Sequence, residues 1–415
     1  MGLERVEVAI VGGGQAGLAL SYRLTELGRE HAVLEQRRLV ESWRSKRWDS
    51  LRVIAPNWSV ALPGLPYQGD DPDGFMARDE VVMHLEGYAA SFSAPVREGC
   101  RVVAVEAATG GGFTLRTEDG SVAADQVVLA TGALQRPNIP VDVEIPRDLD
   151  QLVAADYRHP SDLPPKGVLI VGSGETGCQI AEELARAGRE VWLSGGRGWW
   201  TPRRYRGRDI AAWFRVTGWL DRRTADLPPG KRTGQPNPQL TGAAGGHDIS
   251  SHTLARDGVR LLGRSRGFHD GTAYFADDLA QNLAWGDAQA RSYLETVDRA
   301  IRDQGIDAPY EDLPADLRQS AEATAAVAGQ APRELDLAAA GVGTILWATG
   351  YRPDFSWVGL PFVDSDGHPR QRRGVTDVDG LHVLGLDWLH SARSGLFAGI
   401  DEDATYLAGV IAARA

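Results

Sequence analysis

A glycine-rich turn close to the first residue constrains the fold of this chain more than any other feature. An apolar run, a G-x-G-x-x-G turn, a helical repeat, a second apolar run and an acid follow one another at residues 8–11, 12–17, 18–28, 31–34 and Glu35. Short apolar runs of this kind are typical of buried parallel strands. The order strand, glycine turn, helix, strand and acid therefore predicts a Rossmann-like dinucleotide-binding unit.

Each part of this pattern has a physical role in holding a dinucleotide. Gly12 permits the tight turn, Gly14 lets the backbone approach a pyrophosphate, and Gly17 lets the helix pack on the sheet. Glu35 can accept hydrogen bonds from ribose hydroxyls, and its charge would repel a 2′-phosphate, so FAD or NAD is expected here rather than NADP. The neighbouring residues predicted to contact this cofactor are Gln15, Ala16 and Gln36.

A second unit of the same kind lies in the middle of the chain. An apolar run at 167–171 enters another glycine turn, and the following strand at 190–193 ends in Ser-Gly-Gly-Arg with no acid. A hydroxyl and a guanidinium suit a 2′-phosphate, because arginine can bind it through two hydrogen bonds. This site is therefore predicted to hold NADPH, the first to hold FAD, and hydride to pass between them. The residues predicted to contact NADPH are Gly172, Ser173, Gly174, Glu175, Thr176, Gly177, Ser194, Arg197 and Arg203.

Two apolar strands end in the same Ala-Thr-Gly sequence, at 130–132 and 348–350. The repeat indicates that each nucleotide domain has its own crossover strand, which turns sharply beside the cofactor. The contacts predicted at these turns are Thr131, Gly132, Thr349 and Gly350.

The end of the chain is predicted to return to the first domain. A strand ends at Asp387, which can contact the flavin ribityl chain, and Leu396 and Phe397 begin a helix whose dipole can face the flavin pyrimidine edge. The predicted fold class is α/β, with two Rossmann-like domains that bind FAD and NADPH, the FAD domain being discontinuous. Its two parts are residues 1–145 and 339–415, and the NADPH domain is residues 146–338 with an irregular insert at about 205–335.

The segment after Glu35 is unusually rich in tryptophan and arginine. One interpretation places Trp43 near the flavin, with Trp48 as a further cofactor contact and Arg44 or Arg52 neutralising phosphate. The other interpretation is a surface patch of packed aromatic rings and solvated arginines.

The irregular insert carries a cluster of aromatic residues and one noteworthy histidine. The tryptophans either line an apolar pocket or pack in a core or lid, and they are Trp199, Trp200, Trp213 and Trp219. His247 is either catalytic or a hydrogen-bonded structural residue, and the lack of a visible partner in the sequence favours the structural role.

Composition narrows the function classes. The 415-residue chain has a net charge of −12, which argues against a nucleic-acid or anionic-membrane surface. Its two cysteines, Cys100 and Cys178, form no C-x-x-C pair, and no metal-binding set stands out. The sequence shows no signal peptide and no membrane-length apolar run, so a cytoplasmic protein is expected. The oligomeric state stays open, and a homodimer is compatible with the sequence.

With these motifs placed, the chain resembles the flavin-containing monooxygenases, and most closely bacterial single-component flavoproteins and plant indole-3-pyruvate monooxygenases. The likeness spans nearly the whole chain except about 205–335. The motifs that carry it are Gly12 to Glu35, Trp43-Arg44 with Trp48-Asp49-Ser50-Leu51, Ala130-Thr131-Gly132, Gly172 to Arg197, and Ala348-Thr349-Gly350-Tyr351 with the C-terminal helix.

The chain departs from the family pattern at two places. The family's F-x-G-x-x-x-H-x-x-x-(W/Y) sequence is mostly absent, because Arg147, Leu149 and Val153 occupy its Phe, Gly and His positions in the register set by Tyr157. The family's cofactor-contacting Asn aligns with Ile54. Asn57 is the substitute that the resemblance suggests, and Asp49 is the second candidate catalytic residue.

The resemblance implies a specific reaction. NADPH reduces FAD, O₂ adds to give a flavin C4a-hydroperoxide, and one oxygen atom passes to a small, apolar or aromatic substrate. Two alternatives stay open: an NADPH-dependent flavin dehydrogenase or oxidase without oxygen transfer, and an NADPH-responsive binding protein without catalysis.

Overall fold

The computed structural model describes residues 4–140, 144–147, 149–228, 231, 233, 237–318 and 320–414. Two sheets, a mixed one and a parallel one, each with helices packed against it, divide the chain into a first lobe and a second lobe. The chain leaves the first lobe after about residue 135 and returns to it after about residue 350.

The two lobes are built from successive stretches of the chain. The first lobe begins with β1 Glu4–Val11, α1 Gln15–Glu26, β2 His31–Leu34, α2 Glu41–Ser45, α3 Arg78–Ser91, β3 Val96–Arg97, β4 Val102–Ala107, β5 Phe113–Thr117 and β6 Gly120–Leu129. After the connecting strand β7 Arg136–Pro137, the second lobe contains β8 Asp150–Val153, β9 Gly167–Val171, α4 Glu175–Arg186, β10 Val191–Ser194, β11 Arg204–Tyr205, β12 Arg208–Asp209, α5 Ile210–Val216, α6 Ser251–Arg256, β13 Arg260–Leu262, β14 Ser265–His269, β15 Thr272–Phe275, α7 Leu279–Gln304, α8 Ala315–Arg318, α9 Ser320–Ala328, β16 Glu334–Asp336 and β17 Val342–Trp347. The chain then forms β18 Tyr351–Arg352, β19 Gln371–Arg372, β20 Val375–Thr376, β21 Leu381–Val383 and α10 Phe397–Ala413.

The first sheet has the strand order β19-β20-β21-β6-β1-β2-β3, with β1 parallel to both β2 and β6. The four consecutive apolar residues 8–11 at the end of β1 are all buried, as expected for a strand covered on both faces. Strand β21 lies parallel to β6, which joins the end of the chain to the first lobe. The predicted fold class, including the discontinuous first domain, is confirmed.

The second sheet is parallel throughout, in the order β13-β10-β9-β17-β8. It includes β17, at residues 342–347, although the sequence pattern predicted that the chain from residue 339 belongs to the first domain. Each sheet thus has its own crossover strand, β6 or β17. The two connections between the lobes pair as the antiparallel strands β7 and β18. We therefore propose that the return segment begins at about residue 350.

The tryptophan-rich insert forms a core around α7. Trp199, Trp200 and Trp213 are at most 3% exposed, and they pack with Phe214 and Tyr293. These tryptophans therefore pack in a core, which is the second of the two interpretations. Within the described residues, none of the helices combines the length and the apolar character needed to cross a bilayer.

A buried histidine in the first sheet makes stability depend on pH. His382 in β21 is 2% exposed, and its Nε2 lies 3.3 Å from the amide oxygen of Gln126. Burial, with a smaller effect of Arg414, lowers the pKa of His382 to about 4 from a usual 6.5.

As the pH falls, His382 therefore becomes protonated at a higher pH in the unfolded chain than in the folded protein. We expect the free energy of unfolding to drop by about 3 kcal/mol between pH 6.5 and 4 on this account. A His382→Gln variant should lose that part of the pH dependence in urea unfolding curves recorded across this range. Equal pH slopes for the variant and the wild type would contradict the assignment to His382.

Candidate cofactor and active site

The first glycine turn has a geometry that only glycine can provide. Gly12 has φ +116°, and a side-chain carbon there would lie 2.5 Å from the carbonyl oxygen of Ala130. A side chain at Gly17 would overlap the carbonyl oxygen of Gly12, so α1 could not approach the turn so closely. At Gly14, by contrast, nothing lies within 4 Å of the position of an added carbon. The start of α1 therefore carries an open cradle whose free N–H groups suit a pyrophosphate.

The carboxylate of Glu35 is hydrogen-bonded to the backbone of this turn. Its carboxylate accepts hydrogen bonds from the backbone N–H of Gly13, at 2.8 Å, and of Arg37, at 3.1 Å. The residue is 7% exposed. A carboxylate has about four acceptor positions, so Glu35 retains capacity for ribose hydroxyls. Gln36 beside it is exposed.

The end of the chain lies against this turn. The side chain of Gln15 donates a hydrogen bond to the carbonyl oxygen of Gly395, 2.7 Å away. Gly385 has φ +76°, and an added carbon there would lie 2.5 Å from the Cβ of Ala16. Part of the Asp387 side chain is exposed to solvent. The protein around the carboxyl nevertheless removes much of its hydration, and this desolvation raises its pKa. The structure thus brings Gly385 and Gly395 to the first turn, and the flavin contacts of the neighbouring Asp387, Leu396 and Phe397 stay predictions.

The second turn repeats the first. Gly172 also has φ +116°, and a side chain there would overlap the carbonyl oxygen of Ala348, while one at Gly177 would overlap that of Gly172. Gly174 again has nothing within 4 Å. Thr349 ties this turn to the connection between the lobes by donating from Oγ1 to the carbonyl oxygen of Asn138, at 2.6 Å. The remaining predicted contacts beside the two turns are Thr131 and Gly132, at the first, and Ser173, Thr176 and Gly350, at the second.

A row of side chains connects the two turns, and we call it the junction: Phe397, Trp43, Arg47 and Glu175. The rings of Trp43 and Phe397 lie 6.0 Å apart, and the Arg47 guanidinium lies 5.3 Å from the Trp43 ring. Arg47 and Glu175 are close enough that each shifts the pKa of the other. This row links the start of α10, which lies beside the first turn, to the start of α4 at the second turn.

The junction contains a charged residue that no sequence motif marks. Burial lowers the pKa of Arg47, and a hydrogen bond of 3.1 Å joins its Nη1 to the carbonyl oxygen of Lys46. No ion pair to Arg47 is present among the described residues. The one feature of the sequence that could have indicated Arg47 as a site residue is its position in the tryptophan- and arginine-rich segment. Burial raises the pKa of Glu175 to about 7, although Arg47 and Arg203 oppose this shift.

Two arginines lie after the strands β10 and β13, at what we call the outer end of the second turn. The sequence predicts Arg197 as a cofactor contact there, but it does not indicate Arg264. Arg197 is exposed, with its guanidinium 5.9 Å from the Trp285 ring. Arg264 follows β13, the parallel neighbour of β10, and its Nε lies 3.5 Å from the position of an added carbon at Gly196. Ser194 is 1% exposed and its hydroxyl donates to the carbonyl oxygen of Gly263, so this donor is already occupied.

The structure gives two of the predicted phosphate-binding arginines other partners. Arg203 is 1% exposed and donates to Asp209, at 2.8 and 3.1 Å, and to the carbonyl oxygen of Ile54, at 2.6 Å. Arg44 pairs with Glu86 of α3. Because these guanidinium groups are occupied by protein acceptors, neither residue is placed to neutralise a cofactor phosphate. Arg203 instead joins a first-lobe loop to the second lobe.

The two candidate catalytic residues have structural partners as well. The amide of Asn57 is 6% exposed, accepts from the Met76 N–H at 2.8 Å and donates to the Asp71 carbonyl oxygen at 2.9 Å. Asp49 accepts from Arg78 at 2.6 Å. Asn57 therefore fixes the loop before α3, and both catalytic roles stay predictions without geometric support.

A cleft of about 290 Å³ lies between the lobes. Trp48 and Leu51 form its apolar wall, and Gln179 and Glu183 of α4 form the opposite one. Trp48 is 5% exposed and packs in the core of the second lobe, so the structure places it at this cleft rather than in the junction.

His247 has a structural environment, in agreement with the favoured alternative. Its Nε2 lies 2.6 Å from a carboxylate oxygen of Glu182, and its Nδ1 lies 3.1 Å from the Ala243 carbonyl oxygen.

Comparisons with known proteins identify the family. The family model described as pyridine nucleotide-disulphide oxidoreductase matches residues 9–215. An uncharacterized CzcO-like oxidoreductase of Geobacillus kaustophilus is 30% identical over 406 residues, with 97% of each chain covered. Indole-3-pyruvate monooxygenase YUCCA1 of Oryza sativa is 31% identical over 184 residues, which cover 43% of this chain and 45% of the relative.

A solved structure shares the whole fold. The flavin-containing monooxygenase of Stenotrophomonas maltophilia superposes with a TM-score of 0.68 at 20% identity and covers 99% of both chains. The prediction of a flavin-dependent oxidoreductase is confirmed by these family relationships, and the choice of NADPH as its reductant stays a prediction. The chain belongs to the CzcO-like oxidoreductases.

Proposed function

We propose that this protein is an FAD- and NADPH-dependent monooxygenase that transfers one oxygen atom from O₂ to a small, apolar or aromatic substrate. The observation that carries the proposal is the geometry of the two glycine turns, which are alike and linked by the side chains of the junction. Two dinucleotides bound at these turns would bring their reactive rings together there. The overall reaction consumes NADPH, a proton, O₂ and substrate, and yields NADP⁺, water and the oxygenated substrate.

The residues present fit the two cofactors. FAD suits the first turn, where Gly14 is open, Glu35 retains acceptor capacity and Gly385, two residues before Asp387, approaches Ala16 of α1. NADPH suits the second turn, where Gly174 is open and Arg197 and Arg264 lie at the outer end. FAD, when bound, supplies the redox chemistry, accepting hydride from NADPH and activating O₂. The protein orients both nucleotides, and the aromatic rings of the junction keep water from the reacting groups.

The cleft beside Trp48 is the candidate substrate site. Its volume of about 290 Å³ suits a small molecule, and Trp48 and Leu51 offer an apolar wall. Gln179, in one wall of the cleft, lies one helical turn along α4 from Glu175 of the junction. The name of the rice relative gives indole-3-pyruvate, an aromatic compound, as the substrate of that protein.

Two observations weigh on the alternatives. The chain's two cysteines are free and lie in different lobes, which disfavours dithiol chemistry. The departures at Arg147, Leu149 and Val153 favour an NADPH-dependent flavin dehydrogenase or oxidase as the second candidate function.

Stopped-flow absorbance separates these candidates. The protein loaded with FAD and reduced by NADPH is mixed with aerated buffer, with and without excess NADP⁺. A monooxygenase should show a long-lived transient before the oxidised flavin spectrum returns, and oxygenated product once a substrate is found. Direct return to oxidised flavin with stoichiometric peroxide, unchanged across a panel of small aromatic and aliphatic substrates, would favour the oxidase. Flavin that NADPH fails to bleach would contradict both.

Cofactor selectivity tests the arginines at the second turn. We expect Arg197→Ala to weaken NADPH binding by about 2–3 kcal/mol, since a charge-assisted contact to the 2′-phosphate is lost, with NADH much less affected. Arg264→Ala should act in the same direction. Dissociation constants for both nucleotides check this expectation.

The matched control is Arg260→Ala, because Arg260 is an exposed arginine of the same sheet that pairs with Glu190. Its removal should leave both constants unchanged. Equal losses for NADPH and NADH in the Arg197 variant would contradict a 2′-phosphate contact.

A further inference from the structure

The two glycine turns differ at one position that matters electrostatically. The first residue of α1 is Gln15, a neutral amide, whereas the first residue of α4 is Glu175, a carboxylate. Both follow a glycine with open space around it, Gly14 or Gly174. A carboxylate at the start of α4 lies where the pyrophosphate of NADPH would meet the free N–H groups, so an ionised Glu175 would repel it.

In the part of the chain that the structure describes, few titratable groups lie around Glu175. From other segments Arg47 and Arg203 face it, and along its own helix Cys178 and Glu182 follow. Arg203 is occupied by Asp209 and Ile54, as described above. Of these two arginines, Arg47 is therefore the one that can neutralise Glu175. Apart from Glu175, the titratable neighbour of Arg47 is Tyr351.

We propose that Glu175 couples the binding of NADPH at the second turn to the uptake of one proton, with Arg47 neutralising the carboxylate while no nucleotide is bound. The proposal rests on the proposed function, because it takes the second turn as the NADPH site. It assigns the proton to the Glu175 carboxyl oxygen, and no bond other than O–H forms or breaks.

The sign of the pH effect follows from the two states. Without nucleotide, burial holds the pKa of Glu175 at about 7, so the carboxyl is about half protonated at neutral pH. A bound pyrophosphate adds like charge and raises the pKa further, because like charges disfavour the ionised form. Between these two pKa values binding takes up a proton, and the dissociation constant increases as the pH rises, by up to about tenfold per pH unit.

Calorimetric titration of NADP⁺ into the FAD-loaded protein measures both affinity and proton uptake. We expect the dissociation constant of the wild type to rise about tenfold between pH 7 and 8.5. Titrations at pH 8 in two buffers of different ionisation enthalpy should show uptake of most of one proton. The 2′-phosphate, with a pKa of about 6, is ionised throughout this range and contributes little.

The control variant is Glu175→Gln, which gives the second turn the residue that the first turn already has. Its dissociation constant should change less than about twofold over the same range, with proton uptake near zero. Arg47→Gln removes the neutralising cation, so the pKa of Glu175 should rise and the increase in the dissociation constant should begin at higher pH.

The outcomes separate this inference from the proposed function. Parallel pH profiles for the wild type and Glu175→Gln would overturn the inference while leaving NADPH binding intact. A wild type that binds no NADP⁺ at any pH would overturn both. If Glu175→Gln does not fold, the number of protons that the wild type takes up per bound NADP⁺ at pH 8 is the deciding measurement. A number near zero overturns the inference, and a number near one supports it.

Discussion

A Gly14→Val variant is expected to fold like the wild type and to be purified without FAD. The position of an added carbon at Gly14 has no atom within 4 Å, so a side chain there starts in open space. It occupies instead the space through which a pyrophosphate would reach the N–H groups of α1. Loss of two charge-assisted hydrogen bonds, at about 1.5–3 kcal/mol each, predicts FAD binding weaker by at least about 3 kcal/mol. The flavin absorbance per protein and the thermal melting curve of the apoprotein measure the two effects separately.

Two further glycine variants serve as controls. A side chain at Gly17 overlaps the Gly12 carbonyl oxygen, so Gly17→Ala should lower the stability of the apoprotein as well as FAD content. Gly174→Val, the counterpart of Gly14→Val in the second turn, should retain FAD and lose NADPH affinity. A Gly14→Val protein that keeps its flavin would contradict the placement of the FAD pyrophosphate at the first turn.

The fold could be predicted from the sequence because its main determinants are local. A buried strand, a glycine turn and a helix follow one another within about 20 residues, and the structure shows that Gly12 and Gly172 share the same φ of +116°. The return of the chain to the first lobe was also predictable, since Asp387 follows a strand pattern and precedes a helix. The repeated Ala-Thr-Gly sequence indicated one crossover strand per sheet, and β6 and β17 are those strands.

The destinations of the arginine side chains could not be predicted in the same way. Arg44, Arg197 and Arg203 each follow the second strand of a dinucleotide-binding unit by ten residues or fewer, and this position along the chain suggested phosphate contacts for each. The structure pairs Arg44 with Glu86 and Arg203 with Asp209, acceptors that only tertiary packing brings near. Arg47 shows the reverse case: no motif marks it, but the packing of one lobe on the other places it opposite Glu175. Long charged side chains choose among partners by tertiary geometry, which sequence spacing does not encode.

The replacement of Arg203 by methionine should destabilise the protein by about 3–5 kcal/mol, because it removes one partner from a buried ion pair. Asp209 is 12% exposed and would be left without its cation, and the Ile54 carbonyl oxygen would lose its donor. Urea unfolding at neutral pH measures the loss. Arg204→Ala is the matched control, since Arg204 is an exposed neighbour that donates only to the backbone of residues 245 and 246, and its removal should cost about 1 kcal/mol or less.

The same variant decides between the two roles considered for Arg203. If the guanidinium joins the lobes, the double variant Arg203→Met/Asp209→Asn should recover part of the lost stability, because the carboxylate is no longer left charged and unpaired. NADPH affinity at temperatures where both proteins are folded should then match that of the wild type. If instead Arg203→Met unfolds like the wild type but binds NADPH at least tenfold more weakly, the guanidinium is a phosphate ligand and its pairing with Asp209 gives way when the nucleotide binds. The two outcomes are distinguishable because each changes a different quantity. Loss of the contacts that tie Ile54 of one lobe to Asp209 of the other lowers stability and leaves NADPH affinity unchanged, whereas loss of a phosphate ligand does the reverse.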